Sequence, residues 1–230
     1  MKNLSFLLVA LWLTTATATA FAQTTTPAPD RSSDPTIGYP ITDQLLAPAF
    51  QTFTENFPSQ NVGFFHVYAK STVDPLDDYL LKGDEASGTT KALLPEDFQR
   101  MAKLTNAKVY AAAAIKGVNE NMYLVRYDSP TSDRVELFAI RDNEVVHLKT
   151  VAYRECTSAG CRQLDSYFTD VNGDGNLDLI QMKRLQTKKG DKGSRTTPFI
   201  LDDRTRKSKK TKELELPVES LDFYDPRTDD

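Results

Sequence analysis

The fold is decided by residues 121–141, which read NMYLVRYDSPTSDRVELFAIR. Two runs rich in aliphatic and aromatic residues, 121–127 and 135–141, flank the turn-forming pair Ser129-Pro130. Such residues are enriched in β-strands, and a connection this short permits only an antiparallel pair. The stretch therefore predicts a β-hairpin.

The same pattern continues on both sides of this hairpin. Turn formers such as Gly117-Val118-Asn119 and Asp142-Asn143 separate it from further strand-like runs. These additional runs cover residues 108–116, 144–153, 164–169 and 177–184. We therefore expect an antiparallel β-meander of about six strands, in an α+β domain with one or two helices covering one face of the sheet.

Two segments that precede the meander carry helical patterns. Between Thr42 and Phe57, apolar residues recur at every third or fourth position. This spacing predicts an amphipathic helix that Thr42 caps and that Pro48 kinks or delays. A second short helix is predicted to have Pro95 in its first turn and to include Leu104.

Further strands are predicted at both ends of the domain. Residues 62–69 are rich in Val, Phe and Tyr, which favours a strand before the second helix. Residues 197–201 and 213–216 have the composition of another hairpin. No segment of 20 to 50 residues repeats along the chain, so a solenoid or a complete propeller is not expected.

The amino terminus has the pattern of a cleaved signal peptide. Lys2 supplies a positive charge, the stretch from Leu4 to Leu13 is apolar apart from Ser5, and Ala20 and Ala22 stand where a signal peptidase recognises small residues. The apolar stretch is shorter than the ~20 residues needed to span a membrane. We expect cleavage after Ala22, no transmembrane span in the mature protein, and a periplasmic or extracellular location.

These patterns divide the chain into four parts. Residues 1–22 form the predicted signal peptide, and residues 23–40, rich in Thr, Pro and Ser, form a flexible linker. Residues 41–216 form the α+β domain, and residues 217–230 form an acidic C-terminal tail.

The strongest motif lies between the last two runs of the meander, at residues 170–178, which read DVNGDGNLD. Oxygen-bearing side chains stand at every second position, a spacing that lets them converge on Ca²⁺, while Gly175 permits the sharp turn. Asp170, Asn172 and Asp174 are predicted to bind calcium through their side chains. Asn176 would contribute its backbone carbonyl, and Asp178 would close the site directly or through water.

The sequence around this loop distinguishes between calcium architectures. A helix-loop-helix hand needs a bidentate Glu at the twelfth loop position, where this chain has Gln181. The flanking runs of the hairpin at 164–184 are typical of strands. The strand-loop-strand pattern resembles the calcium hairpins of FG-GAP and VCBS repeats, which occur in integrin-type propellers. The resemblance implies that the five alternating residues bind calcium and stabilise the hairpin, and it covers this single copy only; the alternative is a solvated acidic turn without metal.

The two cysteines, Cys156 and Cys161, stand just before the calcium hairpin. In an exported protein, such a pair favours a disulfide over a metal pair or a redox couple, because the spacing is not Cys-x-x-Cys. The two histidines, His66 and His147, lie in strand-like runs outside any known catalytic motif, so structural roles are expected.

Charged residues raise two further candidate sites. Residues 183–212 contain twelve Lys or Arg against three acidic residues, a formal charge of +9. This stretch is either a docking surface for an anionic polymer or membrane surface, or a solvated hairpin whose lysines protect a sheet edge. The adjacent acids Asp77-Asp78 and Asp202-Asp203 are expected to be solvated rather than paired for sugar hydrolysis.

Composition and motifs together favour an exported calcium-binding domain, a non-enzymatic binding or interaction protein whose calcium is structural. The alternative is a secreted hydrolase of an extracellular polymer, again with structural calcium, and a weaker option is a cell-surface protein that interacts through the basic stretch. The formal charge of the whole chain is −4, so nucleic acid is not expected as a partner.

Overall fold

The computed structural model describes residues 48–60, 63–70, 78–117, 120–171, 173, 175–200 and 212–224. The predicted signal peptide and linker, the N-cap Thr42, and the acidic residues Asp77, Asp202 and Asp203 lie outside the described residues. Within the described segments, no helix is long and apolar enough to cross a membrane.

Strands dominate the described part of the chain. In chain order they are β1 (Ser59–Gln60), β2 (Phe64–Val67), β3 (Asp84–Glu85), β4 (Lys108–Lys116), β5 (Asn121–Asp128), β6 (Ser132–Arg141), β7 (Glu144–Thr157), β8 (Gly160–Thr169), β9 (Asp178–Thr187), β10 (Gly190–Thr196), β11 (Phe199–Ile200) and β12 (Glu213–Leu216). The helices of the described segments are α1 (Pro48–Glu55), α2 (Gly88–Leu93) and α3 (Glu96–Thr105), and a short 3-10 helix covers Val218–Ser220.

All of these strands belong to one largely antiparallel sheet, whose main strand order is β1-β4-β5-β6-β7-β8-β9-β10-β12. Three short strands add to it: β2 pairs with β8, β3 with β4, and β11 with β9. The six predicted runs correspond to β4 through β9, so the antiparallel meander is confirmed. The predicted number of strands was wrong, because the described residues form twelve. Strands of two residues carry no periodic signal, and β10 is rich in Gly and polar residues.

The predicted hairpin between residues 197–201 and 213–216 was also wrong. Residues 213–216 form β12, which pairs with β10, and the Thr197 N–H donates to the Lys212 carbonyl beside that pair. β11 pairs instead with the first residues of β9, which lie beyond the stretch that β10 covers. β11 therefore pairs with the part of the β9 edge that β10 leaves unpaired.

Three single-residue irregularities bend the central sheet. Ala112 is an extra residue in β4 opposite β5, and Leu148 and Val151 are extra residues in β7 opposite β6. An extra residue on one strand bends that strand and increases its twist. Ala112 and Val151 are fully buried in the same apolar cluster, and Leu148 packs against it. The irregularities thus curve the sheet around a common core.

The sheet is buried on both faces. Alternate residues of β5 show this directly, since Met122 and Leu124 belong to one apolar cluster, while Tyr123 and Val125 belong to another. We call the first cluster the inner core; it includes Phe65, Val67, Leu81, Ile115, Leu137, Phe168 and Leu179. We call the second the helix-side core; it includes Phe50, Phe53, Phe57, Leu94, Val109, Tyr127 and Phe138.

The helices cover the second of these cores. α1 covers Pro48–Glu55 of the predicted segment, whose earlier residues lie outside the described ones, and α3 matches its predicted position. The prediction of one or two helices was wrong by one, because α2 went unrecognised. This helix is only six residues long and begins with Gly-Thr-Thr, which are weak helix formers. Its N-terminus is capped by the Ser87 hydroxyl, which accepts a hydrogen bond from the Thr90 N–H.

The C-terminal segment packs onto the sheet beyond Leu216. Leu221 is buried against Tyr167 and Met182, and the Tyr224 ring stacks on Tyr68. The described part of the predicted tail, residues 217–224, therefore belongs to the packed domain.

Candidate functional site

The predicted calcium loop joins the ends of two paired strands. β8 ends at Thr169 and β9 begins at Asp178, and these two residues are direct partners in the sheet. Close to the loop, Phe168 and Leu179 form another cross-strand pair and are fully buried in the inner core. Order in the loop is therefore coupled to packing of the core.

Carboxylates organise the backbone of this loop. The Asp178 side chain is buried, and its Oδ2 accepts a hydrogen bond from the Val171 N–H at 3.0 Å. The oxygens of Asp170 accept from the Gly173 and Gly175 N–H groups at 2.7 and 2.8 Å. Both glycines have positive φ, 74° and 83°, a conformation that non-glycine residues rarely adopt. The loop thus turns its backbone toward these two carboxylates.

The donor chemistry of the loop fits a hard cation. Asp170 and Asp178 both accept hydrogen bonds from the loop backbone, and an ionised carboxylate has about four acceptor positions. Ca²⁺ prefers such oxygen ligands. Asn176 is half-buried beside them, whereas Asn172 and Asp174 lie outside the described residues. Within the described residues, which do not include Asp174, no group of three or more His, Cys, Asp or Glu is arranged to hold a metal ion.

The disulfide lies at the other end of β8. Cys156 and Cys161 are direct cross-strand partners in the β7–β8 hairpin, and they are bridged. The predicted pairing of the two cysteines is confirmed.

His66 forms part of a network around a fully buried carboxylate, Asp165. Its Nε2 donates to Asp165 Oδ2 at 3.1 Å, and the Tyr224 N–H donates to the same oxygen at 2.8 Å. The Gln163 amide donates to Asp165 Oδ1 at 3.1 Å. The His66 ring stacks on Tyr167, with 4.2 Å between ring centroids. Asp165 therefore ties together β2, β8 and the C-terminal segment.

His147 also donates to a fully buried carboxylate, Glu136, with 2.9 Å between Nε2 and Oε2. The other Glu136 oxygen, Oε1, lies 3.0 Å from Arg134 Nη2 but has no hydrogen-bond partner in the described part of the chain. The hydroxyl of nearby Tyr127 is likewise buried without a partner there. This group of side chains lies on the helix-side face of the sheet, where Phe98 of α3 packs on His147.

A third set of acids lies at the β5–β6 turn. Asp128 and Asp133 are direct cross-strand partners. Burial and, to a smaller extent, the neighbouring Asp128 raise the pKa of Asp133 to about 6, against the opposing effects of Arg154 and Arg126. Burial also raises the pKa of Asp128, although Arg126 opposes the shift and donates a hydrogen bond to it. Like charges placed directly opposite on neighbouring strands repel each other.

The basic stretch is partly neutralised where the structure describes it. Lys183 lies 3.1 Å from Glu213, and Arg184 lies 2.9 Å from Asp191. These pairs border a shallow groove of about 870 Å³ on β9, β10 and β12, whose lining also includes Glu215 and Glu219. The lining of the groove therefore contains both positively and negatively charged side chains.

Sequence reasoning missed both buried carboxylates. Glu136 interrupts the apolar run from Val135 to Ile140, and Asp165 stands beside Leu164 two residues before the aromatic pair Tyr167-Phe168; a charged residue buried in such a position needs a polar partner. The sequence therefore indicates that each carboxylate needs a partner. It does not identify the partner, because Asp165 and His66 are 99 positions apart.

Comparisons with protein-family models, with curated proteins and with solved structures found no match to this chain.

Proposed function

We propose that this chain is an exported binding or interaction domain whose β8–β9 hairpin is stabilised by one structural calcium ion. The observation that carries the proposal is the loop at residues 170–178, where the backbone turns its N–H groups toward the Asp170 and Asp178 carboxylates and so holds two oxygen ligands of the predicted set in one loop. The resemblance to FG-GAP and VCBS hairpins adds Asn172, Asp174 and Asn176 to the ligand set.

Repulsion among the carboxylates of the loop explains how a bound cation would stabilise the fold. The loop sequence contains three carboxylates, those of Asp170, Asp174 and Asp178, within nine positions. Carboxylates held this close repel one another unless a cation lies between them. Because Phe168 and Leu179 beside the loop belong to the inner core, relief of this repulsion stabilises the whole sheet.

The test is thermal unfolding in calcium and in chelator. Calcium that binds only the folded state raises the melting temperature with concentration, and the stabilisation reaches about 2.7 kcal/mol at a hundredfold excess over Kd. Extracellular modules of this kind have Kd values of about 10⁻⁴ to 10⁻³ M, so millimolar calcium is the relevant range.

Variants make this test specific. Asp174→Ala and Asp178→Asn should each abolish the response to calcium, whereas Asp97→Asn, an exposed acid on α3, should preserve it. Identical melting of wild-type protein in calcium and in chelator, with metal shown to be absent from both samples, would overturn the proposal.

Export is the second part of the proposal, and the disulfide between Cys156 and Cys161 supports it, because such bonds persist in oxidising compartments. Protein isolated from the native host should lack residues 1–22 and should show reactive thiols only after reduction. A retained signal peptide with two free thiols would contradict export.

A secreted hydrolase is the second candidate, favoured by the Asp128–Asp133 pair. A carboxylic acid with a pKa near 6 beside a second carboxylate is a common arrangement for acid–base chemistry. The candidate predicts release of reducing ends from an extracellular polysaccharide by wild-type protein but not by Asp133→Asn. Equal activity of the two proteins, or none in either, would exclude this pair as the catalytic acids.

A further inference from the structure

Four charged residues form a continuous row across the middle strands of the sheet. Lys108 on β4 is the cross-strand partner of Asp128 on β5, which also pairs with Asp133 on β6. Arg154 on β7 pairs with Asp133 from the other side. Cross-strand partners point to the same face of a sheet, so the row places two carboxylates side by side between two basic side chains.

The hydrogen bonds of the β5–β6 turn bring these two carboxylates close together. The Ser129 N–H donates to the Ser132 carbonyl at 3.1 Å, so these residues form a hydrogen-bonded pair. Hydrogen-bonded and non-hydrogen-bonded pairs alternate along an antiparallel ladder, and side chains lie closer in the second kind. The next pair along the ladder, Asp128 and Asp133, is therefore one whose side chains lie close to each other.

One oxygen of Asp128 lacks a donor. Arg126 donates to Asp128 Oδ2, whereas Asp128 Oδ1 is buried and has no hydrogen-bond partner among the described residues. Arg126 is held in place, because its Nε and Nη2 donate to the Leu81 and Lys82 carbonyls at 3.0 and 2.8 Å. A buried acceptor without a donor costs free energy. The side chain opposite, Asp133, can supply that donor only when it is protonated.

Protonation of Asp133 is favoured by its surroundings. The residue is only 8% exposed. Burial and, to a smaller extent, the charge of Asp128 raise the pKa of Asp133 to about 6, against the opposing effects of Arg154 and Arg126. The Asp133 carboxyl group therefore carries a proton in mildly acidic solution.

Asp128 is the better position for the remaining negative charge. Burial raises its pKa, but Arg126 and Lys108 oppose that shift, and Arg126 also donates a hydrogen bond to it. The hydroxyl of nearby Tyr79 stays protonated, because burial raises its pKa. One proton on Asp133 and one negative charge on Asp128 thus satisfy both side chains.

We propose that Asp128 and Asp133 share one proton, with the Asp133 carboxyl group donating to Asp128 Oδ1, and that this hydrogen bond stabilises the β5–β6 turn in mildly acidic solution. Loss of the proton as the pH rises through about 6 leaves two opposed carboxylates, which repel each other and loosen the turn. The turn is therefore a pH-sensitive device, and it depends neither on the proposed calcium site nor on hydrolysis.

Carbon-13 NMR of the aspartate carboxyl carbons tests whether the proton is shared. Between about pH 4 and pH 8, the signals of Asp128 and Asp133 should both shift with one midpoint near 6, as the signals of coupled groups do. Asp133→Asn should remove this step from the Asp128 signal, whereas Asp97→Asn, which changes an exposed acid on α3, should preserve it in both. An Asp128 signal that stays unchanged while Asp133 titrates would overturn the proposal.

Hydrogen exchange tests the effect on the turn. The protection of the Ser129 amide, relative to an unfolded peptide at the same pH, should fall roughly five-fold between about pH 5 and pH 7 in wild-type protein, the effect of one net hydrogen bond. Asp133→Asn keeps a donor for Asp128 Oδ1 at every pH, so its protection should stay constant. Constant protection in wild-type protein, or an equal fall in Asp133→Asn, would also overturn the proposal.

Discussion

Asp165 and Glu136 occupy similar surroundings but differ in how fully they are hydrogen-bonded. Both are completely buried, and each accepts a hydrogen bond from a histidine Nε2. Asp165 accepts two more bonds, so that both of its oxygens are satisfied. Glu136 leaves Oε1 without a hydrogen bond in the described part of the chain.

The difference shows that a buried histidine–carboxylate pair does not define a role by itself. The donors to Asp165 come from β2, β8 and the C-terminal segment, so this carboxylate connects three parts of the chain. Glu136 instead faces Arg134 of its own strand and His147 of the neighbouring strand, next to the buried Tyr127 hydroxyl. The Asp165 carboxylate therefore connects distant parts of the chain, whereas the Glu136 carboxylate balances charge within one region of the sheet.

The largest expected effect is the difference between the losses of unfolding free energy caused by substituting these two carboxylates. Asp165→Asn places an amide N–H₂ among donors that need acceptors, and we expect it to reduce the free energy of unfolding by about 3 kcal/mol. Glu136→Gln keeps an oxygen that can accept from His147 and loses the charge that faces the partly exposed Arg134 guanidinium at 3.0 Å, so it should cost less, about 1 kcal/mol. Urea unfolding of the two variants beside wild-type protein measures both values.

Equal losses of unfolding free energy in the two variants would contradict this comparison, because the number of hydrogen bonds to each carboxylate would then not govern stability. His66→Ala provides a control, since it removes only one of the donors to Asp165 and should cost less than Asp165→Asn.

Asp133 extends the comparison to a carboxylate with a raised pKa. Because its pKa is about 6 in the folded state and about 4 in the unfolded chain, the folded state binds more protons between these values. This residue's contribution to stability therefore falls as pH rises from about 4 to 6. Asp133→Asn should be more stable than wild-type protein above pH 6, by about 2 kcal/mol, and indistinguishable from it below about pH 4.

Chemical unfolding at several pH values measures this difference, and Asp97→Asn, an exposed acid, should show no such pH-dependent gain. A constant difference between Asp133→Asn and wild type across the range would show that burial does not raise this pKa.

The sequence was sufficient for features that depend on neighbouring residues. The strands from β4 to β9 follow from local composition and turn formers, and the disulfide follows from the spacing of Cys156 and Cys161. The strand-loop-strand arrangement around residues 170–178 follows in the same way.

Features that depend on distant partners were not predictable. β11 lies where β10 leaves an edge of β9 vacant, and the acceptor for His66 comes from a strand far along the chain. The burial of the Tyr127 hydroxyl also has no local signal, since it arises only when the helices pack on the sheet.

The smallest expected effect comes from the same substitution at two tyrosines. The Tyr167 hydroxyl donates to the Asp222 carbonyl at 2.9 Å, so Tyr167→Phe should cost about 1 kcal/mol. Tyr127→Phe removes a buried hydroxyl without a partner, and it should leave the free energy of unfolding unchanged or slightly increase it. A loss of stability in Tyr127→Phe as large as that in Tyr167→Phe would mean that the hydroxyl is already bonded within the fold.

The central claim is that the carboxylates of the β8–β9 loop hold a cation, and calorimetric titration of calcium into metal-free protein tests it most directly. Wild-type protein and Glu136→Gln should each bind one calcium ion with a Kd of about 10⁻⁴ to 10⁻³ M, and Asp178→Asn should show no binding. Absence of binding in wild-type protein at millimolar calcium, or undiminished binding in Asp178→Asn, would contradict the claim.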